Sequence, residues 1–198
     1  MLPEGTTEVV LTAGNENASY GMLRPTQSIT VKTEGEGYAV IDRFANMGCD
    51  LTFAEGSKVK VIGNVGLSGA NNQGGTVTIN GEVYMAIAPN NGNKALYLWG
   101  MNGTPGELVI NAGGILKADC ANVENHGTIT VYGTMELGKL GDAPKLAGVG
   151  ANNGGWHGHL IVDGKDGEGI VSVAHNQLNF GGGNTGVPWQ EPSGDCSV

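Results

Sequence analysis

The chain has 198 residues, enough for one domain with a substantial core, but 36 of them are glycine and only 15% are charged. The net charge of −9, with ten scattered lysines and arginines, argues against nucleic acid and against an anionic membrane surface as partners. The sequence contains no transmembrane run, so we expect no membrane insertion.

The first strand-like run is Glu8–Thr12, and a polar loop with the sequence AGNENASYG follows it. Regular repeats begin only at residue 28. An uncovered edge in a stack of strands recruits other chains, so the first coil of such a stack needs a cover. We therefore predict that residues 1–27 form an N-terminal strand and cap. Residues 44–48 are expected to form a loop that leads into the regular part.

From residue 28 onward, short runs recur in which two apolar residues flank a threonine, valine or isoleucine. Residues two apart in a strand point to the same side, so each run predicts a strand with one apolar face. After a glycine turn, a second alternating run follows. In one repeat, Val59 and Val61 alternate with Lys58 and Lys60. The first strands begin with Ile29, Leu51, Val77, Leu108, Ile129 and Leu160.

The starting residues of these strands are separated by 22, 26, 31, 21 and 31 residues. Short strands of constant length, joined by loops of variable length and repeating every 20 to 50 residues or so, are typical of a solenoid. The last five starting residues are therefore predicted to stack in one internal column. Residues 95–99 predict a third strand within one repeat, and GANN occurs at both 69–72 and 150–153.

The rhythm G-x-[IV]-T-[IV]-x-G-x-[LM]-x-[LV], seen for example as GTITVYGTMEL at residues 127–137, resembles that of the right-handed parallel β-helix proteins. These include pectate-lyase-like enzymes and autotransporter passengers, and the resemblance covers residues 28–174. It implies an all-β, right-handed parallel β-helix of six to seven coils. A β-sandwich or an antiparallel barrel is the alternative fold. Residues 28–180 are then the β-helix repeats, and residues 181–198 are a C-terminal cap or a linker.

The enzymes of this family carry carboxylates and a basic residue on the outer face of one sheet. The corresponding outward positions of the first strands here hold only threonine, valine and isoleucine, so the catalytic motifs have nothing to match. We predict a non-catalytic module, an adhesin or stalk, that needs no cofactor. The alternative is a carbohydrate-active enzyme, a polysaccharide lyase or glycoside hydrolase, or a remnant of one. The outward positions are Thr52, Thr78, Val109, Thr130 and Ile161.

The richness in glycine, asparagine and threonine favours a secreted or cell-surface protein. The partners expected for such a protein are polysaccharide or cell-surface glycans and flanking domains of a larger protein. Residues 1–4 lack the basic start and the apolar core of a signal peptide, so the chain is either intracellular or has had its signal removed, and the composition favours the second. The cysteines, Cys49, Cys120 and Cys196, have no CxxC spacing, which argues against zinc.

The glycine-rich loop at residues 150–158 is the predicted glycan-binding site. Trp156 offers a flat apolar face for a sugar ring, and Asn152, Asn153 and His157 surround it with hydrogen-bonding groups. The alternative is that Trp156 packs against the flank of the solenoid.

No metal site is predicted. Asp163, Asp166 and Glu168 place three carboxylates within six residues, as calcium prefers, but their Asp-Gly pairs are also ordinary turn chemistry. His157 and His159 would share one face of a strand, with no third ligand identified.

Overall fold

The computed structural model describes residues 3–45, 48–63, 74–87, 96–98, 106–119, 123–125, 127–138, 149–150, 159–164, 167–173 and 193–194. These residues form strands and no helix, and thus no helix long and apolar enough to cross a membrane. In chain order the strands are β1 (Glu8–Thr12), β2 (Met22–Leu23), β3 (Ile29–Glu34), β4 (Ala39–Ile41), β5 (Arg43–Phe44), β6 (Leu51–Phe53), β7 (Lys58–Val61), β8 (Thr76–Ile79), β9 (Glu82–Met85), β10 (Leu96–Leu98), β11 (Glu107–Ile110), β12 (Ile115–Ala118), β13 (Val123–Asn125), β14 (Thr128–Val131), β15 (Thr134–Leu137), β16 (Val149–Gly150), β17 (His159–Gly164), β18 (Ile170–Val173) and β19 (Ser193–Gly194).

Successive strands alternate between sheets, and every described strand pair is parallel. Sheet 1 has the order β1-β3-β6-β8-β11-β14-β17-β19, and sheet 2 has the order β18-β15-β12-β9-β7-β4. Sheet 3 is β10-β13-β16 and sheet 4 is β2-β5. The chain is therefore a parallel β-helix of about seven coils, which confirms the predicted fold class.

The predicted internal column exists in sheet 1. Strand registers place Leu51 beside Val77, Val77 beside Leu108, Leu108 beside Ile129 and Ile129 beside Leu160. The first four are fully buried, and Leu160 packs against the core from the end of the column. Because β8 and β9 lie in different sheets, they do not form the tight antiparallel hairpin that the alternative folds require.

Sheet 2 supplies the opposite wall of the core through the second alternating run of each repeat. The strand registers again align apolar residues, and the side chains from the two sheets meet in one buried cluster. One column of sheet 2 comprises Ala39, Val59, Val83, Leu116, Met135 and Val171.

A glycine occupies the corner between the two sheets in several coils because neighbouring coils approach too closely for a side chain. The Glu82 amide donates to the Ser57 carbonyl at 2.8 Å, and the Ile115 amide donates to the Gly81 carbonyl at 2.9 Å. A Cβ atom at Gly81 would lie 2.5 Å from the carbonyl oxygens of Ala54 and Ser57. The turn glycine of the repeat is therefore a packing requirement.

At the start of the chain, the predicted strand Glu8–Thr12 is confirmed, whereas the loop predicted at Phe44 is wrong. Val9 of β1 pairs with Val31, so Glu8–Thr12 is the first strand of sheet 1 itself. Phe44, predicted in a loop, is a strand residue of β5 with only 1% of its surface exposed, and its ring meets that of Phe53 edge-on at 5.2 Å. A two-residue strand is too short to show alternation, so the prediction missed it. The predicted third strand within a repeat is β10.

Candidate functional site on sheet 2

The outward face of sheet 2 concentrates the charged and aromatic side chains of the described coils. Alternation that sends Val59 and Val83 inward sends their neighbours outward. The registers then place Lys58 beside Glu82, and Lys60 beside Tyr84. The next register places Lys117 beside Tyr84.

Glu82 is the centre of this face. The Tyr38 hydroxyl donates to Glu82 Oε1 at 2.6 Å, and Lys117 Nζ donates to the same oxygen at 3.0 Å. Tyr38 immediately precedes β4, which is separated from β9 by β7, so its side chain reaches across one intervening strand. The Glu82 side chain is 16% exposed. One carboxylate thereby joins three coils.

The protonation of both partners reflects this contact. Burial by itself raises the pKa of Glu82, but hydrogen bonds from Tyr38 and Lys117, with the positive charge of Lys117, outweigh it and hold that pKa below its ordinary value. Burial, followed by the hydrogen bond to Glu82 and the charge of that carboxylate, raises the pKa of Tyr38 well above that of a free tyrosine. Glu82 is therefore ionised and Tyr38 neutral at physiological pH.

A second group of contacts lies beside the first. The Tyr84 hydroxyl is 2.9 and 3.0 Å from the two carboxylate oxygens of Asp119, to which it donates. Lys60 Nζ lies 5.9 Å from the centre of the Tyr84 ring and donates to Glu16 Oε2 at 2.6 Å. The Tyr84 ring also meets the Tyr38 ring at 5.9 Å with a tilt of 53°.

We call these residues the outer network; its members are Glu16, Tyr38, Lys60, Glu82, Tyr84, Lys117 and Asp119. Its carboxylates accept hydrogen bonds from side chains in other coils, and its two aromatic rings contact each other. Chemically, the network ties strands of successive coils together along the helix axis and presents a surface of mixed charge to solvent. Of these residues, the sequence analysis placed only Lys60 in an alternating strand and did not connect it with Tyr38, Tyr84 or Asp119.

The outer face of sheet 1 is different. Its central column holds Thr52, Thr78, Val109 and Thr130 in register, all partly exposed. This agrees with the predicted outward side of the first strands. Threonine, valine and isoleucine supply no group for acid or base catalysis.

The predicted glycan-binding residues, Asn152, Asn153, Trp156 and His157, lie outside the described residues, as does Asp166. The glycan site therefore stays a prediction. Cys120 and Cys196 lie outside the described part as well.

The other candidates are described in part. Asp163 lies in β17, where it pairs with Ser193, and Glu168 is an exposed residue before β18. His159 begins β17 opposite Thr128. Among the residues that the structure describes, no three His, Cys, Asp or Glu side chains form a group able to hold a metal ion. Cys49 is a partly exposed free thiol.

The parallel stacking and the columns define the class to which this chain belongs, the parallel β-solenoids. Comparison of the chain with known protein families, with curated proteins and with solved structures found no match in any of the three.

Proposed function

We propose that this chain is a non-catalytic β-helix module of a secreted or cell-surface protein, similar in role to an autotransporter passenger, and that it serves as a rigid stalk or adhesion surface. The observation that carries the proposal is the uninterrupted core column of sheet 1, in which Leu51, Val77, Leu108 and Ile129 are fully buried. Stacked coils that share such a column resist bending, because each strand inside the stack is held by neighbours on both sides.

The outer network supports a structural role over a catalytic one. A carboxylate that acts on a sugar must be free to contact it, either as an acid, a base or a nucleophile. Glu82 instead accepts hydrogen bonds from Tyr38 and Lys117, and Asp119 accepts from Tyr84. These partners come from other strands, so the carboxylates serve to join coils.

The stalk is tested by measuring its stiffness. Thr30 and Thr130 lie on the outer face of sheet 1 and are connected by four register steps. At about 4.8 Å per step, their Cα atoms should lie about 19 Å apart. Spin labels at Thr30→Cys and Thr130→Cys, with the native cysteines replaced by serine, should give one narrow distance distribution by electron–electron double resonance. A broad distribution would contradict a rigid stalk.

The adhesive role is tested with a glycan array probed by the whole chain. If residues 150–158 bind glycan, Trp156→Ala should abolish the signal, whereas the matched Trp189→Ala should keep it. An array on which the unmodified chain binds nothing would remove the glycan and leave the stalk. Release of soluble sugar from any glycan by the purified chain would contradict the non-catalytic role.

A further inference from the structure

In the part of the chain that the structure describes, no strand pairs with the outer edge of the first coil. In sheet 1, β1 pairs with β3 on one side and is the terminal strand of the described sheet. The Thr30 amide donates to the Thr7 carbonyl at 2.9 Å, and the Ala13 amide donates to the Glu34 carbonyl at 2.7 Å. Main-chain groups alternate in direction along a strand, so those of the intervening even-numbered residues point away from β3. These are the groups of Glu8, Val10 and Thr12.

One side chain occupies the end of this edge. The Thr12 amide donates to the Tyr20 hydroxyl oxygen at 3.0 Å, and the Tyr20 hydroxyl lies 3.3 Å from the Thr12 carbonyl oxygen, to which it donates. A single phenol group thus takes the two main-chain hydrogen bonds that an added strand would take. The Tyr20 amide donates to the Val40 carbonyl at 2.9 Å, which fixes the main chain of Tyr20 to the second coil.

A charged residue, Glu8, lies at the other end of β1. Glu8 forms an ion pair with Lys32 of β3 at 2.6 Å, and both side chains are about half exposed. Charged residues on an edge strand disfavour the approach of another strand because their solvation would be lost. Between these two ends of β1, the outward main-chain groups of Val10 form no hydrogen bond with any residue that the structure describes.

The same coil is also unusually apolar on its surface. Four large hydrophobic side chains are exposed among the described residues, and Val10 (47%), Tyr20 (56%) and Met22 (42%) belong to the first coil. Apolar surface beside an open strand edge is what a further coil would cover. The first coil therefore has both the hydrogen-bonding groups and the apolar surface of a stacking interface.

We propose that Tyr20 is a clasp that closes β1 against parallel strand addition by a second copy of this chain. A second copy is the occupant because the strand pairs of sheet 1 from β1 to β17 are all parallel and keep one register, a geometry that the coils of another copy can continue. Such a head-to-tail contact does not close on itself and therefore extends into fibres. The clasp keeps single stalks separate.

The test uses the full chain and two variants whose effects on stability are similar in kind. Tyr20→Phe keeps the ring but removes both hydrogen bonds to Thr12. Tyr38→Phe, the matched control, removes a phenol hydrogen bond from the flank of sheet 2. Light scattering after size-exclusion chromatography over a range of concentrations should show wild type and Tyr38→Phe at the mass of one chain. The measured mass of Tyr20→Phe should rise with concentration to that of two or more chains.

A second variant locates the contact. Val10→Pro removes an amide that points to the open edge, so it costs no bond to β3 but blocks strand addition. Combined with Tyr20→Phe, it should return the mass to that of one chain. Association that persists in the double variant, equal association of Tyr38→Phe, or a Tyr20→Phe chain that stays single at every concentration would each overturn the proposal.

Discussion

Sheets 1 and 2 share one core yet differ in the central side chains of their outer faces. Inside, both offer columns of aliphatic residues that the registers align coil by coil. Outside, sheet 1 presents threonine, valine and isoleucine in its central column, whereas sheet 2 presents the paired charges and tyrosines of the outer network. The inner faces are therefore constrained by stacking, and the outer faces are free to specialise.

The difference also shows how the coils are held. In sheet 1, main-chain hydrogen bonds and buried columns join successive coils, and the Glu8–Lys32 ion pair links only the adjacent strands β1 and β3. In sheet 2, Tyr38 reaches Glu82 across an intervening strand, so a side-chain contact is added to the ladder. Four substitutions, taken from the largest expected effect to the smallest, can break or sharpen this comparison.

Ile129→Asp should have the largest effect, because it places an unpaired charge in a fully buried column. A loss on the order of 3–5 kcal/mol would abolish folded protein in a chain of this size. Its neighbour Thr130 points outward, so Thr130→Asp should give soluble protein with nearly the wild-type denaturation midpoint. Equal losses of soluble yield in the two variants would show that the inward and outward assignments in sheet 1 are wrong.

Gly81→Ala should cost about 1–3 kcal/mol, since its Cβ would press against two carbonyl oxygens at the corner where the sheets meet. The control is Gly106→Ala, because a Cβ there would lie 3.7 Å from the Gly75 carbonyl oxygen, an ordinary contact. Urea denaturation should show a lower midpoint for the first variant and an unchanged or higher one for the second. A Gly81→Ala chain as stable as wild type would mean that the corner can widen.

Glu82→Gln should cost about 1–2 kcal/mol at neutral pH, because it weakens two hydrogen bonds made to a charged oxygen. The pKa of Glu82 is lowered in the folded state, so the unfolded chain takes up the proton first as the pH falls. Its stabilisation is present above its ordinary pKa of 4.5 and is lost below that value.

The measurement is the free energy of unfolding between neutral pH and acid. Below the ordinary pKa of a glutamate, the free energy of unfolding of the wild type should decline with falling pH. That of Glu82→Gln should decline less. Glu136→Gln is the matched control, since Glu136 is exposed on the same face of sheet 2. If both variants follow the wild-type curve, the outer network adds nothing to the main-chain ladder.

Thr78→Val should have the smallest effect, within about 0.5 kcal/mol, because it keeps the β-branched shape on the partly exposed face of sheet 1. The melting temperature should stay close to that of wild type. A change as large as that of Glu82→Gln would show that the two outer faces contribute alike.

Much of the fold could be predicted from alternation, because burial at every second residue leaves a direct mark on the sequence. Leu51 and Val77 show it, and so does the third strand at Leu96–Leu98. The start of the stack could have been predicted as well, since Val9 precedes Val31 by 22 residues, the same step that separates Ile29 from Leu51.

The outer network was harder to predict. Tyr38 and Glu82 are 44 residues apart, and the register places Lys58 between them. Alternation indicates that these side chains face outward, but it does not indicate that Tyr38 passes over the intervening strand. Aligning the second strands of the repeats would have brought the residues onto one face. The contact itself depends on side-chain rotamers, which leave no periodic trace.

The strand register has a consequence for how such a protein can change. The step from Ile29 to Leu51 takes 22 residues and the step from Val77 to Leu108 takes 31, yet each advances the stack by one strand. The number of residues in a coil and the length of the stack are thus independent. Insertions between strands enlarge the side loops while the spacing of everything mounted along the axis is preserved. Side loops of different length and sequence can therefore be exchanged on this scaffold without changing the length of the stack.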